Sequence, residues 1–522
     1  MNENVRNKGH FLGLTSFQWS LLSGLLFIFA FIWDIGNILA PRQGTESLYV
    51  QISKEMYELG SYLTPMYRGE AHWSKPPLQF WLPMPLYALF GGFSLTLARL
   101  SMALTSIAST GFIFWLLKRQ NITLIPVKVG IIFLSSFGIL KFSRIFMMEV
   151  PLALLPLLGA LAFYDYLQSR SKLMWGLSIL FIGLGGLVKG PVSLVMGHAS
   201  LASFWLYHLK WRRKNIFNDV LLTIVCSLCV CSIWYLLCFQ KHGMEFINYF
   251  FLRENLGKFG QSSSMSPLKI IQGLVIYTFP WLHLIRIKQF KQQLTNPLFV
   301  FLLIHFLIFF LIWFIPSQKS HHYAMPGFVF WLVILLINPR SFIRDKLSRF
   351  LFWLEVTILL LLSFIFLYFS NSVVELAIAL IPVMLLLFSI HHHVSSYGIG
   401  ISFVILFTMI SSRFYLPLIP NTGVEALLKQ KHISVFYNDR RPFFLEERLG
   451  RKVKLYSKNS IVSGDYIVTP KNRVKQLETS RLESLFSWEK WKRKVVLDDV
   501  MNALKQRNLK YLKSSYILYK VK

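Results

Sequence analysis

About thirteen hydrophobic runs, each near the length a helix needs to cross a bilayer, follow one another between residues 19 and 415. They lie near 19–40, 95–117, 125–143, 148–167, 174–188, 191–208, 219–240, 269–285, 297–315, 323–338, 350–370, 373–391 and 396–415. With 54% hydrophobic and only 15% charged residues, the chain carries more apolar surface than a soluble domain can bury. It therefore reads as a polytopic α-helical membrane protein. Residues 1–18 form a short polar N-terminus, and the 19–40 run is too long for a signal-peptide core, so it is expected to stay as the first span.

The stretch 78–90 is apolar but short, and it contains Pro83 and Pro85. If it lies in the interface instead of spanning, the basic clusters at 118–119, 170–172, 210–214, 286–291 and 340–349 all fall on one side with the N-terminus, as the positive-inside rule requires. That choice makes thirteen spans over 19–417, with interfacial helices in an outer loop at 41–94. It also places 143–151, 187–191, 241–268 and 315–326 together on the outer side, and these are the loops whose composition looks chemical. From residue 418 the hydrophobic runs stop, and short β-like segments (HISVFYN, KVKLYS, DYIVTP, YLKSSYILYKV) alternate with charged helical ones. A small outer α/β domain over 418–522 is expected. From Asn421 it holds 23 Lys and Arg against 10 Asp and Glu, a basic surface suited to anionic headgroups.

Cys226, Cys229, Cys231 and Cys238 all lie in one apolar run, where thiolate ligands for a metal would be costly; they read as packing residues. His391, His392 and His393 fall at the inner side and read as an interfacial run. No feature points to nucleic acid.

Two carboxylates stand out. Glu46 opens an expected amphipathic helix (45–59), where the helix dipole favours an acid. Glu149 sits among apolar residues at the outer start of a span, with Arg144 as a neighbour in sequence; an ionisable group so placed is a functional candidate. Either could act as a base or as a group that orients one. The outer cations are Arg68, Lys75, Lys189, Arg253, Lys258 and Lys319, with His321 and His322 beside the last. Lysine and arginine in a water-poor site stabilise a phosphate that gains negative charge as it leaves.

In order, the segments GTESLYVQISKEM, LTPMYRGEAHWSKPPLQFWL, SRIFMMEVPLALL, GLGGLVKGPV, FFLRENLGKF with YTFPW, and PSQKSHHYAMP resemble the motif series of GT-C type lipid-linked-sugar glycosyltransferases. These include the aminoarabinose transferases that modify lipid A and, more distantly, the protein O-mannosyltransferases. The resemblance covers roughly residues 19–330. It implies an enzyme of the bacterial inner membrane, with its active site and C-terminal domain periplasmic, that moves a sugar from a polyprenyl (undecaprenyl) monophosphate carrier to an anionic lipid or glycan acceptor. By the same resemblance, Glu46 and Glu149 are catalytic, while Lys75, Lys189 and Lys319 with Tyr323 hold the donor phosphate; the other outer cations, Arg253, Lys258 and Arg68, are expected to hold it with them. Read from their positions alone, His321, His322 and Arg144 are expected to serve the acceptor or a secondary role. No cofactor is required, and the two acids leave room for a divalent metal.

Two positions depart from the family pattern. Thr45 stands where the first acid of an Asp-Glu pair is expected, and Glu149 replaces an Asp. The loss of that acid leaves one alternative to transfer, a carrier-binding homologue without activity; a rival of a different class is a lipid flippase or transporter. Transporters, however, tend to place their charges near the midplane.

Overall fold

A computed structural model describes residues 44–122, 126–211, 216–255, 266–316, 319–337, 346–370, 395–413 and most of 422–522, with isolated positions between 24 and 35 and between 380 and 387. Most of the 19–40 and 373–391 runs, Lys258 and the three histidines at 391–393 lie outside the described residues.

The apolar runs become long helices. At a rise of about 1.5 Å per residue, some twenty residues cross the hydrocarbon core. Among the described residues, six helices are long and apolar enough to cross a membrane: α4 (Leu95–Arg119), α7 (Glu149–Ser169), α8 (Lys172–Lys189), α10 (Phe217–Ile247, continuing as a π-helix over Asn248–Asn255), α12 (Pro297–Leu311) and α14 (Lys346–Tyr368). The chain is a multi-pass membrane protein. Between them lie α1 (Gly44–Glu58), α2 (Leu78–Trp81), α3 (Met84–Leu89), α5 (Pro126–Ser135), α6 (Phe137–Phe142), α9 (Pro191–Trp211), α11 (Leu268–Thr278), α13 (Met325–Ile337) and α15 (Ser395–Arg413). Some boundaries are set by caps. Ser94 accepts from the Thr96 amide at the start of α4, and Asn296 accepts from Leu298 and Phe299 ahead of α12, whose first residue is Pro297.

Three expected runs differ in detail. The 125–143 run breaks at Ser136, which is extended, and the Phe137 amide bonds to the Phe279 carbonyl. The 269–285 run stops at Thr278, shortly before Pro280, which has no amide to donate. The helix expected over 219–240 ends at a sharp kink at Gly243 (φ 58°, ψ −140°), and a second helical segment follows it to Asn255, within what was expected as the 241–268 outer loop. The 78–90 stretch forms helices of four and six residues, too short to cross.

The helix α7 is the axis of the bundle. It is buried from Glu149 to Asp165 along nearly every position and packs on α4, α8 and α13. At its far end Asp165 accepts from Arg119 (2.8 Å) and Gln120 (2.7 Å), and Asp219 pairs with Arg170 (2.7 Å), so Arg119 and Arg170 are each tied to an acid.

After α15 and a short helix, α16 (Thr422–Lys429), a five-stranded sheet runs in the order β4-β3-β5-β7-β6: β3 (Val435–Tyr437), β4 (Lys454–Leu455), β5 (Tyr466–Pro470), β6 (Leu482–Trp491) and β7 (Lys513–Val521). The first three strands are parallel and the last two antiparallel to their neighbours. Each face carries its own apolar core. Four of these strands match the expected segments; β6, with Glu483, Glu489 and Lys490 in a weak alternation, does not.

Among the described residues, this sheet unit meets the helical body at two places. Glu446, almost fully buried, accepts from the Tyr67 hydroxyl (3.0 Å) and pairs with Arg68, both on a small hairpin of β1 (Met66–Tyr67) and β2 (Glu70–Ala71). Arg507 donates to the carbonyl of Tyr368 (2.7 Å) at the end of α14. The hairpin and that end of α14 therefore share one end of the bundle.

Candidate active site at one rim of the bundle

Glu149 is the first residue of α7, where a carboxylate faces the positive end of the helix dipole; Pro151, two residues on, costs no intrahelical bond there. Its side chain is buried. One oxygen, Oε1, lies 3.8 Å from Nε2 of His322, and the other, Oε2, has no hydrogen-bond partner among the described residues. The cations whose charge acts on this carboxylate are Lys189 and Lys141.

Lys189 ends α8, and Gly190 explains why it can. At φ +84° Gly190 adopts a left-handed backbone that other residues avoid, and Pro191 then starts α9. The lysine ammonium sits 4.2 Å from the Trp313 ring centre and 4.7 Å from that of Tyr323, two rings stacked 4.8 Å apart. Its charge is thereby held against π-faces instead of being fully hydrated.

His321, His322 and Tyr323 lie in a single 3-10 turn seated on α11. The seat depends on Gly273, because a β-carbon there would overlap the His321 carbonyl oxygen. In that turn Nδ1 of His322 pairs with the Ser320 hydroxyl (2.8 Å), and Nε2 of His321 faces Gln272 (3.3 Å).

Glu46 is fully buried and makes a different set of contacts. Arg99 donates to both of its oxygens, at 2.8 and 3.1 Å, and the amide of Phe146 donates to Oε1 at 2.9 Å. Arg99 also reaches the carbonyl of Ile35 (3.1 Å). This carboxylate thus joins α1, α4 and the turn that leads into Glu149.

The remaining predicted residues divide by location. Lys75 is half-buried and donates to the Ser74 carbonyl (2.6 Å); its loop is anchored by Trp73, whose ring packs edge-on against His242, Phe246 and Tyr249. Arg253 stacks on the same Tyr249 (4.9 Å). Lys319 is buried and donates to the Pro316 carbonyl (2.8 Å). Arg68 faces Glu446, as above, and its left-handed turn is held by Glu55, which accepts from the amides of Arg68 and Gly69. Arg144 donates to the carbonyls of Ala30 and Trp33 and thereby fastens the first hydrophobic segment.

Glu149, Lys189, His322 and Tyr323 are the predicted residues that meet directly. Sequence reasoning missed Lys141, whose ammonium lies near the rings of Phe142 (5.0 Å) and Tyr277 (5.9 Å) and whose charge acts on both Glu149 and His322. A lone cation inside an apolar run was the available signal. It also missed Arg99, Trp313 and Tyr49; the last is buried on α1 and feels Glu149, Tyr323 and Glu254. Among the described residues, no group of three or more His, Cys, Asp and Glu side chains is gathered in a way that could hold a metal ion.

A buried acid with one free oxygen, faced by cations set on aromatic rings, suits a reaction that moves a proton from a hydroxyl and stabilises an anionic leaving group. Residues 24–247 match the model of the dolichyl-phosphate-mannose-protein mannosyltransferase family. In fold, the chain superposes on crystalline ArnT from Cupriavidus metallidurans bound to undecaprenyl phosphate, with a TM-score of 0.71 over 96% of this chain and 98% of that one, at 13% identity. The chain is thus similar to the GT-C aminoarabinose transferases and mannosyltransferases. The chain is 25% identical over 445 residues to a protein of Aquifex aeolicus, covering 80% of this chain and 85% of that one. It is 22% identical over 319 residues to the undecaprenyl phosphate-alpha-4-amino-4-deoxy-L-arabinose arabinosyl transferase of Yersinia pestis strain Pestoides F, and the match spans 58% of this chain and little more than half (56%) of that enzyme.

Proposed function

We propose that the protein is an inner-membrane glycosyltransferase that takes a sugar from a polyprenyl monophosphate carrier, in the manner of the undecaprenyl-phosphate enzymes it resembles, and passes it to an envelope acceptor such as lipid A. The layout that goes with this is a cytoplasmic N-terminus at 1–18, a membrane-embedded catalytic unit at 19–417 and a periplasmic α/β unit at 418–522, with the site facing the periplasm. The observation that carries the proposal is the free oxygen of buried Glu149, under the charge of Lys189 and Lys141.

In the reaction, Glu149 takes or orients the proton of the acceptor hydroxyl or phosphate. The acceptor oxygen attacks the anomeric carbon from the face opposite the carrier, with inversion, and the bond from that carbon to the phosphate oxygen breaks. The carrier leaves as its monophosphate. Lys189 stabilises the leaving phosphate, Lys75, Lys319, Arg253, Lys258 and Tyr323 help to hold it, and Arg68 sets the hairpin beside them. Glu46 positions Glu149 through Phe146. His321 and His322 contact the acceptor, with His322 also orienting Glu149, and Arg144 holds the first span in register. No step needs a metal, although Glu149 and His322 are groups that could ligate one.

Thr45 favours one second reading, in which the chain binds the carrier but transfers nothing. Transfer from a radiolabelled polyprenyl-phosphate sugar in reconstituted vesicles decides between them. Turnover by the native chain that collapses in Glu149→Gln supports the transferase. Carrier binding without turnover in the native chain supports the second reading.

A further inference from the structure

The helix α17 (Leu497–Lys505), which lies between β6 and β7, is amphipathic in an unusual direction. Leu497, Val500, Met501 and Leu504 recur at positions i, i+3, i+4 and i+7, which is one helical face. In a small domain such a face normally covers the sheet. Here Ala503 is the helix residue that is buried, while Leu497 is 73% exposed, and Val495, Val496, Val500 and Met501 are exposed with it. The apolar stripe points away from its own core.

Its position identifies what it faces. The carbonyl of Leu504 accepts from the Tyr368 hydroxyl (3.0 Å), and Arg507, two residues past the helix, both donates to the Tyr368 carbonyl and lies over the Tyr368 ring. Tyr368 is the last residue of the spanning helix α14, whose Leu361, Phe364 and Tyr368 are exposed as lipid-facing side chains are. The stripe on α17 thus begins where the lipid-facing surface of α14 ends. Exposed Lys505 and Lys510 flank it, complementary to anionic headgroups, and Asp499 is turned to Lys492 (2.7 Å) instead of toward the stripe.

We infer that α17 is an interfacial anchor that inserts Leu497, Val500 and Met501 into the bilayer surface beside α14. Such a helix lies in the plane of the headgroups with its apolar face among the upper acyl carbons. It fastens the sheet unit to the membrane at a second place, away from the Glu446 contact.

The test uses the full chain in nanodiscs of phosphatidylethanolamine and phosphatidylglycerol. A benzophenone amino acid replaces Leu497, Met501 or, on the polar face of the same helix, Asn502; all three are exposed, so the fold tolerates the probe. After illumination, mass spectrometry counts phospholipid adducts. The expected result is ~10-fold more lipid adduct at 497 and 501 than at 502, as for a helix lying in the interface. Equal lipid adduct at the three positions, or adducts at 497 and 501 that join two copies of the chain, would overturn the inference.

Discussion

Glu46 and Arg99 form an ion pair in which neither side chain has any exposure and both carboxylate oxygens receive a guanidinium bond. A buried charge whose partner is removed costs about 3–5 kcal/mol. Glu46→Ala should therefore lower the unfolding temperature in detergent sharply, while the paired change Glu46→Leu with Arg99→Met recovers most of the loss. If Glu46→Ala leaves the unfolding temperature unchanged, the pair is not a structural tie.

Glu149 differs because one of its oxygens has no partner to lose. Glu149→Gln is expected to leave the unfolding temperature and carrier binding near native values while reducing turnover about 10²–10⁴-fold, the usual contribution of a positioned base. Glu149→Asp should retain part of the activity, since it keeps the charge and shortens its reach. Comparing single-turnover rates with carrier affinity separates these effects.

Lys189→Gln removes a charge that Trp313 and Tyr323 hold in place. A charge-assisted contact to phosphate contributes about 1.5–3 kcal/mol, so the donor KM should rise roughly tenfold or more. Trp313→Leu keeps the ammonium but frees it, and should give a smaller rise. An unchanged donor KM in Lys189→Gln would remove this residue from the phosphate site.

Glu446 is the residue through which the sheet unit grips the Arg68 hairpin. Arg68→Ala and Glu446→Gln should each speed amide exchange in the hairpin at 66–71 and around Val453, whose amide Glu446 also accepts. The two changes together should add little to either one, because they break the same contact.

Much of this arrangement was legible in the sequence because apolar length and the side preference of basic residues are one-dimensional signals. The start of α7 at Glu149, the Lys-Gly-Pro break after α8 and the late His-His-Tyr turn all stood out at the ends of apolar runs. Pairings between distant segments were not, because nothing in the chain marks Arg99 as the partner of Glu46, 53 residues away. The role expected of Glu46 accordingly moves from base to support in the proposed mechanism. The helical segment that follows the Gly243 kink was hidden because the polar residues from Gln240 to Glu245 resemble a loop in composition. The strand β6 escaped because its pairing with β7, and not its own alternation, makes it a strand.

The central proposal is that the acid and the lysines serve one small substrate at one rim. Electron cryomicroscopy of the chain in nanodiscs with a polyprenyl monophosphate tests it most directly. The predicted result is phosphate density within hydrogen-bonding reach of Lys189, on the side that Glu149 faces. Phosphate density at the opposite end of the bundle, beside Arg119 and Arg170, would contradict it.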